Sequence, residues 1–145
     1  MTITIRAATP DDIDGLFHVR TSVRENTLTC EELEEMGITR AAVTAMIQNS
    51  SCAWVAAEDQ KIVGFSMIIP EDACLFAAFV LPEYENRGIG KRLVQVAEDE
   101  LFRQHDVIWL ETGKTTRAAG FYRHSGWGNE IPAGEGDIRL EKRKA

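Results

Sequence analysis

The residues best placed to do chemistry are Gly88, Gly90 and Lys91, within the run over 79–93, FVLPEYENRGIGKRL. Gly88 and Gly90 carry no Cβ, so the backbone can curl there and a ligand can come close. Ile89, Leu93, Val96, Ala97 and Leu101 then recur at helical spacing. A glycine loop opening onto a helix N-terminus leaves backbone N–H groups unpaired, and the helix dipole favours an anion beside them. Lys91 and Arg92 add positive charge. The predicted chemistry is phosphate or pyrophosphate binding; a glycine turn that merely caps a core helix is the alternative for the loop alone. Walker A requires Ser or Thr where Arg92 stands and Gly where Glu85 stands. The dinucleotide fingerprint requires a third glycine where Leu93 stands.

The elements around this loop follow from the pattern. A strand is expected over 2–7. Thr9 caps a helix with Pro10 at its first position and Asp11 and Asp12 in its first turn, with Ile13, Leu16, Phe17, Arg20 and Val23 on one face. Helical stretches follow over 30–36, ended by Gly37, and after Thr39, with Val43, Met46 and Ile47 on one face. Strands over 52–58 and 61–69 form a hairpin across Asp59 and Gln60. Residues 70–72 turn the chain, and a strand over 73–81 feeds the loop, where Pro82 ends it. A helix over 88–104, a strand over 107–111, a helix over 115–124, a return to strand at Gly126 and Trp127, a loop over 132–136 and a strand over 137–142 complete the chain. Antiparallel hairpins come first and strand–helix units second. This predicts an α/β fold, a mixed and mostly antiparallel central sheet with helices on both faces.

Composition narrows the function classes. A chain of 145 residues with 44% hydrophobic and 27% charged content reads as one domain, 1–145, with a real core. The net charge of −7 argues against a nucleic-acid partner. Yet Arg87, Lys91, Arg92, Arg117 and Arg123 fall in two segments the fold can bring together, a local basic pocket suited to a polyphosphate. No run of 18 apolar residues suggests a membrane span, and the alternating first residues show no signal-peptide core. Cys30, Cys52 and Cys74 are odd in number and widely spaced, and His18, His105 and His124 are isolated. A cytoplasmic protein with reduced thiols and no metal is expected. Trp54 and Trp109 are assigned to the core.

A second constellation lies over 115–127, TTRAAGFYRHSGW. Residues 85–90, led by Val80, Pro82, Glu83 and Tyr84, resemble [Q/R]-x-x-G-x-[G/A], the acyl-CoA pyrophosphate loop of the GNAT superfamily of N-acetyltransferases. Ala118, Phe121, Tyr122, Gly126 and Trp127 match that family's N-x-x-A-x-x-F-Y-x-x-x-G-[FW] segment. Two positions depart from it: Glu85 replaces the usual Gln or Arg, and Thr115 replaces Asn. The resemblance covers about residues 51–127 and is weakest in the first three helices, where these enzymes choose acceptors.

The resemblance implies a GNAT-like acyl-CoA N-acyltransferase fold, with acetyl-CoA as co-substrate between the strand ending near Leu81 and the strand over 107–111. Asn86, Arg87, Gly88, Ile89, Gly90 and Lys91 would cradle the pyrophosphate, with Arg92 beside them. Phe79 and Val80 would offer backbone groups to the pantetheine arm as if to an added strand. Thr115, Arg117, Ala118, Phe121 and Tyr122 complete the cofactor set. Tyr122 would also serve as general acid to the leaving thiolate, since a phenol of reference pKa about 10 can protonate it. An amine of pKa about 10 must shed a proton before attack. Glu111, at a strand end facing the cleft, is the candidate base, or else a solvated acid. Asp72 reads as a turn residue and Cys74 as a packing cysteine. Arg24, Glu25 and Asn26, with Arg20, border the acceptor pocket as candidate substrate contacts, or are surface charge around a helix end. The expected activity is acetyl transfer to a primary amine of a small molecule or peptide. A catalytically silent CoA-binding module and a protein binding NAD or ATP are the rival readings. Edge strands near the C-terminus leave room for a homodimer.

Overall fold

The computed structural model describes residues 2–23 and 28–145. Seven strands form one sheet in the order β1 (Ile3–Ala7), β2 (Ala53–Glu58), β3 (Lys61–Ile69), β4 (Cys74–Val80), β5 (Val107–Gly113), β7 (Asp137–Arg143), β6 (Gly128–Gly134). Neighbours are antiparallel except β4 and β5, which run parallel. The sheet is therefore mixed and mostly antiparallel, as the sequence predicts. β2 reads as a continuous apolar run because Ala53–Ala57 are buried without interruption.

Helices cover both faces. On one, α4 (Ile89–Leu101) lies close enough for the Ser66 hydroxyl of β3 to donate to the Leu93 carbonyl at 2.9 Å. Gly64 permits that approach: a Cβ there would come within 3.1 Å of the Leu93 side chain and 3.0 Å of the Phe79 carbonyl. On the other face, α1 (Ile13–Arg20) carries the Arg20 guanidinium 4.4 Å above the Phe79 ring of β4. Phe79 in turn meets Phe65, its partner across β3, with ring centroids 5.8 Å apart. α2 (Cys30–Glu35) and α3 (Arg40–Asn49) start from Thr29 and Thr39, whose hydroxyls accept the Glu32 and Ala42 amides. Arg6 and the buried Asp12 pair at 2.8 Å, holding the chain where β1 turns through a 3-10 turn into α1.

Several elements differ from the sequence pattern. The loop expected over 132–136 is shorter: β6 continues through Pro132 to Gly134, and Glu135 and Gly136 alone make the turn. Proline is tolerated there because β6 is an edge strand. The helix expected over 88–104 is Ile89–Leu101, with Gly88 as its cap. Its buried face includes Val94 and the carboxylate Glu98, whereas Val96 is half-buried. Trp109, expected in the core, is half-buried: its indole N–H donates to the Asp72 carbonyl at 2.7 Å, and Arg139 stacks 4.1 Å from its ring centroid. α5 (Arg117–His124) begins after Thr116, whose hydroxyl accepts the Ala119 amide.

Candidate active site

The centre of the sheet is built to part. Met67 pairs with Ala77 and Ile68 with Leu75, which leaves Phe76 as an extra residue on β4. Such a bulge bends its strand. β4 and β5 are then in register at a single pair, Cys74 with Trp109. Beyond it the strands share no further register pair, and a cavity of about 1270 Å³ opens between them. Ala78, Phe79 and Val80 line one wall; Leu110, Glu111 and Thr112 line the other.

The glycine loop lies at one end of this cavity. Gly88 adopts the left-handed conformation at φ +79° as the cap of α4, and Asn86 does so at +63°. Asparagine accepts that region better than most side chains. A Cβ at Gly88 would meet nothing within 4 Å, and one at Gly90 only Val80, at 3.8 Å. The ground above the first turn of α4 is therefore open, and the helix's first amides have no intrahelical acceptor. Open space, unpaired N–H groups and the positive end of a 13-residue helix fit a phosphate group.

Of the cations in these segments, Lys91 and Arg117 line the cavity. Arg92 does not: one residue further round the helix, it reaches β1 and donates to the Ile3 carbonyl at 3.1 Å. Arg87 stacks 5.0 Å from the Tyr84 ring centroid, and Arg123 pairs with Glu130 at 2.9 Å; neither lines the cavity. Asn86, Gly88, Ile89 and Gly90 do. Arg117 binds Glu85 at 2.5 Å and the Asn86 side-chain oxygen at 3.1 Å, which ties the start of α5 to the loop.

Thr115, Ala118, Phe121 and Tyr122 line the same cavity. Tyr122 is 7% exposed, held between the rings of Phe121 and Trp127 at 5.4 and 5.8 Å between centroids. Burial, and secondarily the nearby Glu98 carboxylate, push its phenol well above the ordinary tyrosine range. The proton is thus held on Tyr122 at any physiological pH. Glu98 is itself buried and satisfied: it accepts from the Trp127 indole N–H at 3.1 Å and from the Lys142 ammonium at 2.7 Å. It fixes Trp127, and through it the Tyr122 ring, against α4. Sequence periodicity alone marks Glu98 as a solvent-facing acid, because both partners come from distant residues.

Glu111 is exposed and lines the cavity on the β5 wall. Cys74 is buried, and burial, with Asp72 and Glu111 adding to it, pushes its thiol up to about 12, which favours the protonated form of a packing cysteine. The far end of the cavity is apolar, lined by Leu16, Phe17, Leu33, Met36, Val43 and Phe76, with Arg20 at its edge. Desolvation lowers the Arg20 pKa. Arg24, Glu25 and Asn26 lie outside the described residues. Glu135 and Gly136 of the β6–β7 turn, with Asp137 at the start of β7, also line the cavity; the paired glycines 134 and 136 mark that turn in the sequence but not its place beside the site. Among the described residues, no cluster of His, Cys, Asp or Glu could hold a metal ion, and no helix is long and apolar enough to cross a membrane.

A parted β4–β5 pair, a glycine loop on a helix N-terminus and a buried tyrosine lining the same cavity define the class of acyl-CoA acyltransferase folds. The chain belongs to the acetyltransferase (GNAT) family, whose sequence model matches residues 17–127. It is 37% identical over 91 residues to the peptidyl-lysine N-acetyltransferase YiaC of Escherichia coli (strain K12); the matched stretch takes in 62% of this chain and 56% of that protein. Its fold is similar to that of the PaiA N-acetyltransferase from Thermoplasma acidophilum, solved in complex with coenzyme A: TM-score 0.81 at 22% identity, covering 99% of this chain and 100% of that one. It is similar also to Ard1 from Thermoplasma volcanium, TM-score 0.77 at 15% identity, covering 99% and 98%. At these identities the structural likeness is one of fold.

Proposed function

We propose that the protein is an acetyl-CoA-dependent N-acetyltransferase acting on a primary amine. The observation that carries this reading is the single cavity that joins the anion-ready loop, the open edges of β4 and β5, and the buried Tyr122. The amides of the first turn of α4, with Lys91, would hold the pyrophosphate. The unpaired edge of β4 at Phe79 and Val80 would take the pantetheine amides as a neighbouring strand does. Bound acetyl-CoA would supply a thioester carbonyl to the amine. A C–N bond forms, the C–S bond breaks, and the Tyr122 hydroxyl gives its proton to the departing sulfur. Burial suits Tyr122 to that task by keeping the proton on until a strong base appears beside it. Glu111, on the opposite wall, would receive the amine's proton directly or through water. The amide of Val80 would face the developing oxyanion.

The acceptor enters from the apolar end, beside α1 and α2. Similarity to a peptidyl-lysine N-acetyltransferase favours a lysine side chain of a peptide, and a small-molecule amine fits the same chemistry. The three cysteines are all free thiols, which suits a reducing compartment such as the cytoplasm. Isothermal titration with acetyl-CoA tests the reading. Micromolar binding is expected for the wild type and for Tyr122→Phe; no binding by the wild type would overturn it.

A further inference from the structure

Glu85 places a carboxylate at the rim of a cavity whose loop is otherwise arranged for an anion. Its side chain is 25% exposed and is bound by Arg117, which is 61% exposed. A pair this open to solvent adds little to fold stability. Its position is more telling. The same guanidinium that binds Glu85 also holds the side-chain oxygen of Asn86, whose backbone is left-handed at the turn into the loop. Arg117 thus spans from the first residue of α5 to the two residues that lead into the α4 N-terminus.

We infer that Arg117 is a positioning residue: it neutralises Glu85 and fixes Asn86, so that a loop carrying a carboxylate can still take a pyrophosphate. This rests on the acetyl-CoA reading and deepens it. An uncompensated Glu85 would repel a phosphate bound at the loop, whereas with a neutral side chain at position 85 the charge role of Arg117 would fall away and its bond to the Asn86 side chain would be what it loses on substitution. The role concerns only the charged end of the cofactor. The thioester end, which would lie beside Val80 when the cofactor is bound, should not sense it.

The test is a double-mutant cycle in binding, with two probes: coenzyme A, and S-acetyl-pantetheine, which has the thioester arm without the nucleotide phosphates. Arg117→Ala is expected to weaken coenzyme A about ten-fold or more and to leave the pantetheine probe within about two-fold. Adding Glu85→Gln to Arg117→Ala should restore coenzyme A binding to within about three-fold of wild type, and Arg117→Lys should keep most of it. The pair is on the surface, so thermal melting should show every variant folded. If Arg117→Ala binds coenzyme A as the wild type does, or weakens both probes alike, the positioning role is wrong. If the double variant stays as weak as Arg117→Ala, Arg117 acts on the cofactor directly and the inference is overturned. A wild type that binds no coenzyme A sinks the acetyl-CoA reading itself; a flat Arg117 series on a binding wild type sinks only the inference.

Discussion

Gly88 offers a way to separate charge from shape at the loop. Its φ of +79° is the left-handed region, and a Cβ there meets no atom within 4 Å. Replacing it therefore causes no clash with the protein and only a backbone cost of about 1–2 kcal/mol, at the low end for Asn or Asp. Gly88→Asp and Gly88→Asn should thus both fold, with similar small losses in melting temperature. They differ by one negative charge above the α4 N-terminus. Taking about 5 Å to a bound phosphate and an effective dielectric of about 20, that charge opposes binding by about 3 kcal/mol, or roughly 100-fold. Titration calorimetry with coenzyme A in low salt should show Gly88→Asp binding about 100-fold more weakly than Gly88→Asn, with the gap narrowing as salt rises. Equal affinities for the two variants would refute phosphate binding at this helix end.

Other consequences follow from the buried groups. Asp12 has its pKa lowered, first by its hydrogen bond from Arg6, so its stabilisation is present above the unfolded pKa of about 4 and is lost as pH falls through the folded value. Asp12→Asn should cost about 1–2 kcal/mol at neutral pH, discounted for the half-exposed Arg6, and the gap in denaturant midpoint should close as pH drops below about 4. Because the Tyr122 pKa is raised, its acid form persists as pH climbs through the ordinary tyrosine range. The alkaline fall of kcat assigned to Tyr122 should then lie above about pH 10; an alkaline limb near pH 9 that disappears in Tyr122→Phe would contradict this. Cys30 is exposed while Cys52 and Cys74 are buried, with burial raising both thiols. A thiol reagent should modify one cysteine quickly in the native protein and the other two only on unfolding.

The loop and its helix are legible in the sequence because glycine chemistry and 3.6-residue spacing are local signals. The antiparallel first half is legible because its hairpins are short. What escapes a linear reading depends on distant partners. Glu98 looks solvent-facing until Trp127 and Lys142 arrive to satisfy it. The bulge at Phe76, which opens the cavity, leaves no mark in an apolar strand. Lys91 and Arg92 look equivalent in sequence, yet about 100° of helical turn sends one to the cavity and the other to β1. Pro132 reads as a loop residue until its strand proves to be an edge.

The most direct test is turnover of acetyl-CoA against a panel of lysine peptides and small primary amines, following thiol release and the mass of the acceptor together. Amine-dependent release matched by acetylated acceptor is expected from the wild type. In Tyr122→Phe the rate should fall about ten-fold or more with acetyl-CoA affinity unchanged. Tight binding of acetyl-CoA with no amine-dependent release across the panel would contradict the assignment and leave a silent CoA-binding module in its place.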